Sequence, residues 1–224
     1  MSEPAADQTP PLPPRRPRLR GVLHQYAFFG SLLAVAFLVR AAPTGQAVFA
    51  ALVYGVSLTA LFGVSALYHR VTWSVPARRW MGRLDHAMIS LVIAGTFTPF
   101  GLLALKGALA DVLLTVIWSG ALAGIALHLL WFDVPKWLSA AVYVVLGWSG
   151  CLAMPQLVVQ IGWGAPALLG LGGALYSAGA LVYALRRPNP VPMVFGYHEV
   201  FHALVIAAAM AHYAAVACCV LPLA

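Results

Sequence analysis

Long apolar runs, broken by short turn signals, organise this chain. Each run lasts about 20 residues with little polar alternation, the length an α-helix needs to cross the ~30 Å hydrocarbon core of a bilayer. The pattern predicts spans near 22–41, 47–69, 84–105, 110–131, 136–155, 163–185 and 197–220. Ala-Pro-Thr-Gly at 42–45, Trp-Ser-Val-Pro at 73–76, Asp133-Val134-Pro135, the stretch from Gly162 to Pro166, and that from Arg186 to Pro190 separate them. These are turn-forming, helix-stopping sequences. The fifth span is interrupted by Gly147-Trp148-Ser149-Gly150, and the sixth carries Gly170, Gly172, Gly173 and Gly179. Such small residues permit close helix packing. The predicted fold class is all-α, a seven-transmembrane helix bundle over residues 21–224 without internal repeats.

Composition agrees with that pattern. The chain of 224 residues is 62% hydrophobic and 8% charged, against about 25% charged in a soluble domain. Residues 1–20 differ, with six prolines and four arginines. They read as a disordered basic cytoplasmic tail, not a signal peptide, because no apolar core follows a charged start within them. The formal charge of +7 does not point to nucleic acid, since the basic residues sit between apolar runs. With the N-terminus inside, Arg15, Arg16, Arg18, Arg20, Arg70, Arg78, Arg79, Arg83, Lys136, Arg186 and Arg187 are cytoplasmic, and only Arg40 and Lys106 lie outside. That bias predicts a cytoplasmic N-terminus and an outer C-terminus. The orientation is opposite to that of G-protein-coupled receptors. An opsin is excluded as well, because its last span needs a Schiff-base lysine and this one has none. Cys151, Cys218 and Cys219 form no CxxC pair. They are expected to be buried apolar side chains rather than a disulfide framework.

Polar residues inside spans are costly and usually mark function or pair with one another. His198 and His202 are four residues apart on the last span, so they share one helix face about 6 Å apart along the axis. Span two runs inward and ends Ser65-Ala-Leu-Tyr-His69, and span three starts Arg83-Leu-Asp85-His86. Ser65, His69, Asp85, His198 and His202 are therefore expected at one membrane depth, near the cytoplasmic face. Three imidazoles with an open fourth position form a catalytic zinc arrangement. Zn2+ is the preferred ion on this donor set, with iron, nickel and cobalt left open. His24 and His128 read as lone interfacial histidines. His86 should point away from Asp85's side of the helix. His212, deeper in span seven, is equally a packing or a substrate-facing residue. His198-Glu-Val-Phe-His202 also fits the HExxH pattern of zinc metalloproteases, but Glu199 is rotated ~100° from His198 and is expected to face solvent or Arg187.

Three segments in order resemble one family. Ser65-Ala-Leu-Tyr-His69 is similar to the SxxxH motif of hemolysin III proteins and of the wider progestin and adipoQ receptor family. The stretch from Asp85 to Phe100 resembles that family's third span, and Gly196-Tyr197-His198-Glu-Val-Phe-His202 resembles its HxxxH motif. The resemblance covers roughly residues 20–220. It implies zinc held by His69, His198 and His202, with Asp85 binding or orienting a water and Ser65 supporting the site. The short loops suit the bacterial branch, hence a multi-pass protein of the bacterial inner membrane. The resemblance to alkaline ceramidases implies a lipid amide or ester hydrolase, with Asp85 and Ser65 catalytic. Membrane lipid, or a fatty-acyl ligand in the helix bundle, is the expected partner. The competing readings are a non-enzymatic lipid sensor with structural zinc, a haemolysin-like cytolytic protein and, last, an intramembrane HExxH protease.

Overall fold

A computed structural model describes residues 17–224. Residues 1–16 of the predicted basic tail lie outside the described residues, while Pro17 to Arg20 form a turn. The Arg18 and Leu19 amides in that turn donate to the Met193 and Val194 carbonyls at 3.0 and 3.1 Å.

Among the described residues, seven helices are long and apolar enough to cross a membrane: α1 (Val22–Ala41), α2 (Gly45–Arg70), α3 (Val75–Ala104), α4 (Ala108–Leu130), α5 (Trp137–Ile161), α6 (Gly164–Leu185) and α7 (Tyr197–Leu223). The first span matches its predicted limits. α3 starts nine residues earlier than expected, because Arg78, Arg79 and Arg83 continue the helix beyond the apolar run. α5 continues to Ile161, past its predicted end, through a 3-10 turn at Gly150–Ala153. There Pro155 falls in the first turn of the next segment, where a missing N–H costs no helical hydrogen bond. α3 ends similarly. Pro99 is followed by a wide π-turn, Phe100–Ala104.

Sequential neighbours pack together from α1 to α4, α5 lies on α3 and α4, α6 joins α5 to α7, and α7 returns to α1. The helices are unequally buried. The apolar window of α3 is 67% buried, whereas that of α6 is 11% buried. Tyr54, Phe100, Ile117 and Leu157 fill the interior. At Gly95 on α3 an added Cβ would collide with the Ser57 side chain of α2, so glycine permits that close approach. Outward faces carry large apolar groups such as Leu33, Phe37, Val145 and Val159. That is the expected arrangement when the surrounding solvent is hydrocarbon rather than water. Cys151 and Cys218 are on this exposed surface and Cys219 is half-buried. The expectation of buried cysteines is thus corrected, since a small apolar side chain loses nothing by facing lipid.

Candidate metal centre

Two helix ends meet beside α3 at one end of the bundle. α2 closes there because the Val71 amide donates to the Leu67 carbonyl at 3.2 Å and the Trp73 indole donates to the same carbonyl at 3.0 Å. This places His69 in the last turn, with Ser65 one turn before it. α7 opens there. Its Glu199 carboxylate accepts the Gly196 amide at 2.8 Å, and Asn189 Oδ1 accepts the Tyr197 amide at 3.1 Å. Capping of this kind satisfies donors that a helix start leaves unpaired. It also puts His198 and His202 on the first two turns, pointing to the same side. α3, packed against α2, brings Asp85.

The imidazoles converge. His69, His198 and His202 each offer a ligand nitrogen, and these three atoms lie within 4.8 Å of one another. Nε2 of His69 and Nε2 of His198 are 3.2 Å apart. Asp85 Oδ2 is 3.9 Å from His69 Nε2, and Ser65 lies near Asp85. His202 is buried and its Nδ1 has no hydrogen-bond partner. A buried polar atom without a partner is costly. Convergent nitrogens, an unpaired ring nitrogen and a nearby carboxylate fit a divalent metal ion: each neutral imidazole has a lone pair to donate, and the carboxylate offsets the ion's charge. The ring of Tyr183, from α6, closes one side at 5.6 Å from His198.

All five residues singled out from the sequence are therefore brought together. Glu199 is not where the sequence pointed. It is fully buried and its Oε1 is 2.7 Å from Arg20 Nε, so it faces neither solvent nor Arg187. A carboxylate with its charge spent on an arginine and its second oxygen on the helix start is poorly placed to act as a base.

Two of the histidines expected at the interface are also buried. His24 Nδ1 is 2.8 Å from Ser65 Oγ, and its ring stacks on His202 with centroids 3.7 Å apart. His128 belongs to a second polar cluster. Its Nδ1 donates to the Gly124 carbonyl at 2.8 Å, and its Nε2 is 3.1 Å from Ser139 and 3.0 Å from Tyr143. His86 leans on that cluster, as its position beside Asp85 implied. Its Nδ1 donates to the Gly82 carbonyl at 2.7 Å and its ring faces His128. The sequence signal for His24 was its position one turn into α1, at the depth of His69. His212 is remote, with Nε2 at 3.2 Å from the Leu169 carbonyl, and serves packing between α6 and α7.

Residues 14–213 match the family described as Haemolysin-III related. The chain is 34% identical to the Hemolysin-3 homolog of Bacillus subtilis over 72% of each chain. It is also 34% identical to Hemolysin-3 of Bacillus cereus, over 81% of this chain and 80% of that one. It shares 35% identity with the Adiponectin receptor protein of Drosophila melanogaster over 67% of this chain, though only 38% of the receptor's length is covered. The molecule is thus an integral, multi-pass membrane protein, and it belongs to the hemolysin III family within the progestin and adipoQ receptor superfamily.

Proposed function

We propose that this protein is a zinc-dependent hydrolase of lipid amide bonds, with its centre near the cytoplasmic face of a bacterial inner membrane. The observation that carries the reading is the convergence of three histidine nitrogens within 4.8 Å beside a carboxylate 3.9 Å from one of them. The 3.2 Å between the His69 and His198 nitrogens suits zinc, on which two tetrahedral nitrogen ligands sit about 3.3 Å apart. His69, His198 and His202 would hold the ion. When bound, zinc lowers the pKa of a coordinated water and polarises a carbonyl.

The remaining roles belong to the protein. Asp85 takes the proton of the attacking water and delivers it to the departing amine, leaving a fatty acid and a free amine. Ser65, beside Asp85, can donate its hydroxyl proton to that carboxylate and hold it in place. Apolar helix faces receive the acyl chain, so the occupant is a membrane lipid of the ceramide type. The bias of basic residues supports an inner N-terminus and an outer C-terminus.

A second, non-enzymatic reading draws on one observation. The contact between His69 and His198 joins positions 129 residues apart in sequence, so a metal there would brace α2 against α7 while the protein senses lipid. Purified protein in detergent, offered a fluorescent ceramide, separates the two. The hydrolase reading expects release of labelled fatty acid, with Asp85→Asn losing about 100-fold or more in turnover while retaining its metal. No release by wild type, with metal bound, would leave the bracing role.

A further inference from the structure

The first turn of α1 reaches the metal centre through contacts that neither the chemistry above nor membrane crossing requires. Gly21 caps the helix at φ +79, and an added Cβ would stand 2.5 Å from His69 Cβ. The α1 backbone therefore rests directly on a candidate ligand, an approach only glycine allows. His24, one turn along, bridges two other members of the centre. It contacts Ser65 Oγ at 2.8 Å and lies parallel to His202 with an interplanar angle of 4°. Phe62 meets the His24 ring edge-on at 5.2 Å and holds it in place. Arg20, just before this turn, is tied to Glu199 of α7.

His202 shows why such a support matters. Metal-binding histidines are usually oriented by a hydrogen bond from the ring nitrogen that does not bind the ion. No hydrogen bond within the protein holds the His202 ring, whose contacts are with neighbouring rings. The ring plane is set instead by the parallel face of His24.

We propose that His24 is a positioning residue of the metal centre, fixing the plane of His202 by stacking on it while its Nδ1 contacts Ser65. Gly21 is the contact that lets α1 come close enough. This inference rests on the metal reading above, and its test separates the two.

Full-length protein in detergent is titrated with Co2+ alone, whose visible absorption reports both affinity and coordination geometry. His24→Ala should weaken Co2+ binding about 10–100-fold, the usual effect of losing a group that orients a ligand, and should alter the spectrum. His24→Phe preserves the stacked ring and should bind Co2+ close to wild type. His24→Asn preserves a hydrogen-bonding group for Ser65 without the ring and should be weakened about 10-fold. These two variants stand in if the alanine variant does not fold. Wild-type affinity and spectrum in both His24→Ala and His24→Asn would overturn the positioning role, as would His24→Phe as weak as His24→Asn. Wild-type protein that takes up no Co2+ would overturn the metal reading itself, and the positioning role with it.

Discussion

Two histidine clusters lie on neighbouring helices of this bundle, and they differ in where their nitrogens go. In the cluster of His86 and His128, three ring nitrogens have protein partners: the carbonyls of Gly82 and Gly124, and the hydroxyls of Ser139 and Tyr143. In the cluster of His69, His198 and His202, two Nε2 atoms face each other at 3.2 Å and His202 Nδ1 has no partner. Polar residues glue membrane helices together when their hydrogen bonds are satisfied within the protein. They form a binding site when lone pairs converge on a common point. The cluster of His86 and His128 is thus helix glue, whereas that of His69, His198 and His202 has the arrangement of a metal-binding site.

Exchanging the same substitution between clusters puts this contrast under the greatest strain. His202→Ala should lower metal affinity more than 100-fold, beyond the ~10–100-fold typical of an outer partner, whereas His128→Ala should leave it unchanged. Isothermal titration with Zn2+ measures both, and equal losses would erase the distinction. A smaller effect is expected at the ion pair that ties the N-terminal turn to α7. Arg20→Ala leaves the buried Glu199 charge unpaired, at a cost of about 3 kcal/mol given that Arg20 is partly exposed. Detergent thermal melts should show that loss, and Arg20→Ala combined with Glu199→Gln should recover part of it. The smallest effect belongs to the glue. Tyr143→Phe removes hydroxyl contacts to His86 and His128 and should cost about 1 kcal/mol, seen in melts with no change in metal uptake.

The helices were legible in the sequence because lipid imposes a length and an apolar composition on each span. The ends were less so. Helix α3 continues through three arginines that hydropathy reads as loop, and α5 crosses glycines and a proline that would end a helix in water. Motif spacing placed Ser65, His69, Asp85, His198 and His202 at one depth, and the packing of α2, α3 and α7 brings them together. In the sequence His24 reads as a lone interfacial residue, because a single histidine at a span end carries no spacing signal. Its meaning arises only where α1 lies against α2 and α7. Glu199 misled for the opposite reason: the HExxH pattern is a local spacing, while its partner Arg20 lies 179 residues upstream in a segment that composition read as tail.

Elemental analysis of the purified protein tests the central claim most directly. The account predicts about one zinc per chain in wild type and none in the variant with His69, His198 and His202 all changed to alanine, while His86→Ala and His128→Ala keep theirs. Wild-type protein that folds and inserts normally but carries no zinc, and takes none up when it is offered, would contradict it.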